Sequence, residues 1–396
     1  MKGAITAAAG FRAAGVAAGI KQDAPDLAVL VADSACSAAA VFTTNCAQAA
    51  PVLVSREHIA SGRARAVIVN SGCANAATGA GGLEDAREMA ALTAQAVGCQ
   101  AAEVLVASTG VIGVRLPMEK LRAAIPRAAA GLAREGGADA ARAIMTTDTR
   151  PKEVLVEFVV AGRTARLGGM AKGAGMIAPH MATMLAFLTT DAGVAPSLLQ
   201  SALARAAELS FNRITVDGDT STNDTAIVLA SGACGAPSIE RPGPDLDAFR
   251  AALNDACQRL ALMLIRDGEG TTRVAEVRVE GALSHGDAER VARTVAESPL
   301  VKTALFGGDA NWGRILGAVG RAGVKLDIER VDIFLGDVWV CEAGAAREYD
   351  ESLATDAFTR DTVLIRVRLN AGAEAESIWT CDLSHGYVDI NGSYRS

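Results

Sequence analysis

Aromatic side chains are scarce: Phe, Trp and Tyr together make up 4% of the 396 residues. The core therefore has to be assembled mainly from Ala, Val, Leu and Ile. Histidine is equally sparse, with four in the chain. None of the eight cysteines, at positions 36, 46, 73, 99, 234, 257, 341 and 381, forms a Cys-x-x-Cys pair. That argues against a zinc site, and no metal is expected. Scattered cysteines in a long chain do not suggest a disulfide framework either; reduced thiols in a cytosolic enzyme are expected. Basic clusters are missing and the formal charge is −7, which argues against nucleic-acid partners. Two long uncharged runs occur, Ser34 to Ser55 and Gly173 to Thr190. Both carry Pro and several polar residues that a spanning helix avoids. The N-terminal stretch superficially resembles a signal peptide, but Arg12 interrupts it and Ala and Gly make a poor apolar segment. The expectation is a cytoplasmic protein without a membrane segment.

Half the residues are apolar and 21% are charged, the balance of a compact globular chain. Its length allows two or three domains. Short β-like runs alternate with Ala-rich helical stretches. Strands are expected at Ala66–Val69, Glu103–Ala107, Val154–Val160, Met184–Leu188, Ala275–Val279, Val331–Leu335 and Val363–Leu369. Helices are expected at Glu84–Val97, from Pro117 through Ile125, from Pro196 through Leu209, and between Asp287 and Glu297. Asn70-Ser71-Gly72 and Ser108-Thr109-Gly110 read as turns following strands, and Gly232–Pro244 as a surface excursion. This mixture predicts layered α/β or α+β packing.

The most unusual stretch runs from Gly168 to Leu185 and carries four glycines in eight positions, then Pro179, then a strand beginning at a threonine. A phosphate loop needs GxxxxGK[ST] leading into a helix; here the order is Lys172-Gly173 and a strand follows, so that reading fails. On pattern alone the stretch is either a flexible surface loop or a loop with a task.

Lys172-Gly173-Ala174-Gly175-Met176-Ile177-Ala178-Pro179-His180-Met181-Ala182-Thr183-Met184-Leu185 resembles the processing site of the ornithine acetyltransferases, the self-cleaving glutamate N-acetyltransferases of arginine biosynthesis. Six other segments agree in the same order. They are Gly10-Phe11 with Gly15, Gly19 and Lys21; Asn70–Asn75; Ser108–Gly113; Met145–Thr149; Asp217–Thr225; and Asp309–Arg314. The resemblance covers nearly the whole chain. It implies an αββα sandwich of the N-terminal-nucleophile type, roughly residues 1–280, with a smaller α/β domain at 281–396. It also implies cleavage between Ala182 and Thr183 into an α chain (1–182) and a β chain (183–396), assembled as a heterotetramer of two of each. The implied substrates are N-acetylornithine and glutamate. No resident cofactor is expected. Acetyl-CoA as a second acetyl donor is left open, because no CoA-binding motif decides it.

Elementary chemistry supports this mechanism. A threonine hydroxyl is a weak nucleophile and needs a base, and a free N-terminal threonine carries one in its own α-amine, whose ordinary pKa is roughly 8. By resemblance, Thr183 is the nucleophile, and Thr109 and Gly110 stabilise the oxyanion through a hydroxyl and a backbone N–H. Lys172 takes the substrate carboxylate and Glu269 meets the ornithine side chain. Thr149, Asn391 and Ser396 complete the substrate set. Each also has a plainer reading: a turn for Thr109-Gly110, a solvated loop lysine for Lys172, a turn acid for Glu269. Cys73 is read as packing, His180 is given no role, and Asp219, Asn223 and Asp224 are read as a buried polar network supporting the site. Two alternatives stand beside this: a self-processed N-terminal-threonine amidase or aminopeptidase, and a non-catalytic binder of acetylated amino acids.

Overall fold

The computed structural model describes residues 3–178 and 184–393, which form two compact units. The first holds residues up to 212 together with 219–264; the second holds 213–218 and the chain from 265 onward. Sequence reading put the division near 280. It falls earlier because Val274–Ala282 is an interior strand of the second unit's sheet, flanked on both sides.

The first unit contains strands β1 (Phe11–Val16), β2 (Leu27–Phe42), β3 (Arg63–Cys73), β4 (Val104–Val111), β5 (Lys152–Val160), β6 (Arg163–Lys172) and β7 (Leu185–Thr190). β8 (Ile214–Thr215) belongs to the second unit, and β9 (Thr225–Ala230) completes the first sheet. The sheet runs β4-β3-β2-β9-β7-β6-β5, with β1 paired to β2. β2 joins its two halves. Residues 27–32 pair with β1 and β3, residues 37–42 pair with β9, and the register against β3 shifts between Val31 and Cys36. An irregularity of this kind bends a strand. The halves share one core, in which Leu30, Val67 and Leu105 pack with Met170, Phe187 and Ile227.

Helices cover the outer faces. α1 (Ala50–His58), α2 (Gly79–Val97) and α3 (Met118–Ala130) bury Val54, Met89, Ala90, Leu121 and Ile125 with Val29, Ile68 and Val106 of the first half. A short α4 (Gly137–Ala143) adds Ala140 and Ala141 to the shared core. On the second half lies α5 (Pro196–Glu208), where Gln200 exchanges hydrogen bonds with both backbone groups of Ala40. α6 (Pro244–Arg266) packs Phe249 against Phe158 of β5 in a tilted pair, ring centroids 6.0 Å apart. The layers are helix, sheet, sheet, helix: the αββα arrangement.

The second unit is a seven-stranded sheet ordered β13-β12-β11-β14-β10-β15-β8. Its strands are β10 (Val274–Ala282), β11 (Asp332–Leu335), β12 (Val338–Glu342), β13 (Ala345–Ala346), β14 (Thr362–Arg368) and β15 (Glu374–Cys381). α7 (His285–Ala296), capped by the Ser284 hydroxyl on the Asp287 N–H, buries Ala288, Val291, Ala292 and Val295 against this sheet. α8 (Pro299–Gly307), α9 (Trp312–Gly320), α10 (Glu351–Phe358) and α11 (His385–Ser393) follow. All eight cysteines are unpaired. No described helix is long and apolar enough to cross a membrane.

Candidate functional site

Two segments read as turns are strand. β3 continues through Asn70-Ser71-Gly72 and β4 through Ser108-Thr109-Gly110, in parallel register with Gly72 opposite Gly110. Both glycines have positive φ, 96° and 131°. A Cβ on Gly110 would lie 2.3 Å from the carbonyl carbon of Gly72. Polar side chains lock these strand ends together. Ser108 Oγ donates to Asn70 Oδ1 at 2.6 Å, and Asn70 Nδ2 to the Cys73 carbonyl at 2.8 Å. Asn223 Nδ2 donates to the carbonyls of Ala74 and Ser108 at 2.7 and 2.8 Å. Cys73 is buried in the core, as expected, and burial raises its thiol pKa.

Thr109 meets Lys172 here. Lys172, the last residue of β6, is buried rather than solvated. Its Nζ donates to Thr109 Oγ1 at 3.2 Å and to Thr146 Oγ1 at 2.6 Å. The glycine-rich approach to Lys172 is strand and not a surface loop. Small residues are required there: a Cβ on Gly168 would sit 1.9 Å from the Ala4 carbonyl oxygen.

Beneath Lys172 lies Asp148, 3.9 Å from Nζ. Asp148 also accepts from Lys152 Nζ at 2.5 Å and from the N–H groups of Gly173 and Thr146 at 2.7 and 3.0 Å. Burial alone would raise its carboxyl; Lys172, Lys152 and the Gly173 N–H outweigh that and hold it down at about 2. Asp148 is thus a fixed anion that makes two buried ammonium groups tolerable. Lys21 joins the same neighbourhood, its Nζ donating to the Met145 carbonyl at 2.8 Å, and burial lowers its pKa.

Across from Lys172 stands Asp224, fully buried at the start of β9. It accepts the Met184 N–H through Oδ1 at 3.0 Å. Burial holds its carboxyl well above the usual range. A narrow recess lies among Thr109, Lys172, Met184, Leu185, Ser221, Asn223 and Asp224. Asn223 and Asp224 are buried polar residues here, as expected; Asp219 is exposed.

The second unit gathers another set. Glu269 is buried and accepts from Asn391 Nδ2 at 2.8 Å. Ser384 Oγ donates to the Gly270 carbonyl at 2.5 Å, which with the Asn391 bond straps α11 to the loop carrying Glu269; Tyr387 Oη donates to Asp217 at 3.2 Å. Thr149 is exposed beside Asp148 in sequence. Ala182, Thr183 and Ser396, with His180, lie outside the described residues. Among the described residues, no cluster of three or more His, Cys, Asp or Glu could hold a metal ion.

Sequence reading did not single out Asp148, Thr146 or Asn70 as individual residues. All three sit inside the quoted segments, but only folding shows which side chains point at Lys172 and Ser108. The described arrangement is an ammonium group donating to a threonine hydroxyl beside a left-handed glycine. Thr109 Oγ1 accepts from a cation, so its own proton is free to be donated onward and is polarised for it. Such a pair suits the stabilisation of a developing oxyanion.

Comparison with known proteins adds the following. The ArgJ family profile matches residues 12–396. A protein of Symbiobacterium thermophilum named arginine biosynthesis bifunctional protein ArgJ is 49% identical over 399 residues, covering 100% of this chain and 99% of its own length. The protein of the same name from Chlorobaculum tepidum is 50% identical over 389 residues, covering 98% and 96%. A crystal structure of the protein so named from Bacillus halodurans is 42% identical with a TM-score of 0.51. It matches 52% of this chain and 98% of its own.

Proposed function

This chain belongs to the ArgJ family, and on that premise we propose that it is a self-cleaving glutamate N-acetyltransferase with Thr183 as nucleophile. In processing, the Thr183 hydroxyl attacks the Ala182 carbonyl, the acyl group shifts from nitrogen to oxygen, and water hydrolyses the ester. This leaves a carboxylate on Ala182 and a free α-amine on Thr183. In catalysis that amine takes the hydroxyl proton as oxygen attacks the acetyl carbonyl of N2-acetyl-L-ornithine. Thr109 Oγ and the Gly110 N–H stabilise the oxyanion. The amide C–N bond breaks, the ornithine nitrogen takes the proton, and acetyl-Thr183 remains. Glutamate's amine then attacks the ester and leaves as N-acetylglutamate, and the proton returns to the threonine oxygen.

The observation that carries this reading is the Lys172–Thr109 contact two residues from the end of β4, beside the recess that Met184 lines. It joins a carboxylate-binding cation to a hydroxyl donor next to the residue that follows Thr183. Glu269, Asn391, Thr149 and Ser396 would supply the remaining substrate contacts. The relatives' names include the word bifunctional; the second activity proposed is acetylation of glutamate from acetyl-CoA. The Bacillus halodurans chain, matched almost entirely by about half of this one, has the proportions of one fragment of a cut protein. A cytoplasmic heterotetramer of two α and two β fragments is the proposed form.

Intact-mass measurement tests processing: two fragments divided at 182/183 are expected, and a single chain for Thr183→Ala. An acetyl-donor assay then compares N-acetylornithine with acetyl-CoA. Acetylglutamate formation with ping-pong kinetics is expected. A fully active uncut chain would overturn the nucleophile, and release of acetate in place of acetylglutamate would identify an amidase instead.

A further inference from the structure

Asp224 has no part in the mechanism above, yet it is among the most constrained polar side chains in the first unit. It is 1% exposed. Oδ1 accepts the Met184 N–H at 3.0 Å, and that N–H belongs to the peptide bond joining Met184 to Thr183. Oδ2 is fully buried and makes no hydrogen bond among the described residues; the nearby Ser221 hydroxyl favours the ionised form less than burial disfavours it, and Asp224 is among the residues lining the recess shared with Thr109 and Lys172. An orphaned buried oxygen in a native fold calls for an occupant. The backbone repeats the anchoring: Thr225 N–H donates to the Met184 carbonyl at 3.1 Å, so both peptide groups of Met184 are held by the Asp224–Thr225 corner. Asn223, one residue earlier, ties this corner to the carbonyl of Ser108, the residue before Thr109.

We propose that Asp224 is a positioning residue of the acyl-transfer site, anchoring the Met184 N–H through Oδ1 and presenting Oδ2 as a hydrogen-bond donor inside the recess. The inference rests on the acetyltransferase reading above. A donor at Oδ2 requires a neutral carboxylic acid. Two features favour that form: complete burial, which disfavours the carboxylate, and the prior claim of Asp148 on the Lys172 charge. A neutral acid also avoids a second anion in the acyl-transfer site, which would favour a protonated α-amine and deprive the nucleophile of its base.

The test compares Asp224→Asn with Asp224→Ala in the full chain. Asn keeps an acceptor and a donor in the same places; Ala removes both. The expected result is rescue: kcat for acetyl transfer falls by less than about tenfold in Asn and by on the order of 100-fold or more in Ala, with KM for N-acetylornithine moving far less than kcat. If Ala prevents folding, infrared difference spectroscopy between wild type and Asp224→Asn decides. At neutral pH the wild type should show the carbonyl stretch of one protonated carboxylic acid that the variant lacks. Absence of that band, or an Asn variant as inactive as Ala or Thr183→Ala, overturns the proposal. Wild type that neither cleaves nor transfers acetyl would instead defeat the acetyltransferase reading, so the two failures are told apart.

Discussion

Asp148 illustrates how one side chain sets the terms for its neighbours. Lys152 and Asp148 side chains are both 0% exposed, and Lys172 is 4% exposed. The carboxylate between them offsets the burial of two ammonium groups at that depth. Its folded pKa, about 2, lies below the unfolded carboxyl value of about 3.9. The stability it contributes is therefore complete above roughly pH 4 and is lost as pH falls through about 2. Asp148→Asn removes the anion and keeps the shape. The expected loss is about 3–5 kcal/mol, seen as a lower Tm at neutral pH, with a flatter stability profile between pH 4 and 2. An unchanged Tm would mean that the lysines find other partners.

At the scale of elements, the paired ends of β3 and β4 depend on Gly72 and Gly110. Gly110→Ala would place its Cβ against main-chain atoms of Gly72, at a φ of 131° that L side chains rarely adopt. Neither atom belongs to a flexible side chain, so relief requires the strands to part. Backbone strain of this kind costs about 1–3 kcal/mol, and overpacking a similar amount. Acetyl transfer should fall by on the order of 100-fold, because the proposed oxyanion donors ride on these strand ends. Assays run with a thermal melt separate the two effects: a folded variant with wild-type kcat would remove Gly110 from the site. Ser108-Thr109-Gly110 read as a turn because serine and glycine are turn formers. The parallel ladder to Ser71-Gly72 overrides that preference, and only a partner strand 38 residues away in sequence could reveal it. The same holds for Gly168-Gly169, where glycine serves close packing rather than flexibility.

For the molecule as a whole, the proposed cut falls between two strands that stay paired. Leu167–Lys172 of β6 lie against Leu185–Thr190 of β7, and β7 pairs on its other side with β9, which in turn pairs with β2. β2 and β6 would belong to the α fragment, β7 and β9 to the β fragment, so each fragment completes the other's sheet. The fragments should co-elute in native size-exclusion chromatography and separate only in denaturant. Dissociation in native buffer would contradict this interleaving.

By itself, the sequence determined the kind of core and the elements whose apolar spacing is local. Pro196 opening α5, the face of α7 and the strand core of β10 follow from residues within one turn or one pleat of each other. Its collinear motifs also carried the family resemblance, and with it the proposal of Thr183 as nucleophile. What only the tertiary structure decided is which polar residues meet. Lys172 reaches Thr109 across 63 positions, Asn391 reaches Glu269 across 122, and Asp224 takes the N–H of Met184 across 40. Side-chain chemistry is written in single residues, but burial and proximity come from strand order and register, and these depend on pairings too distant for any local pattern to carry.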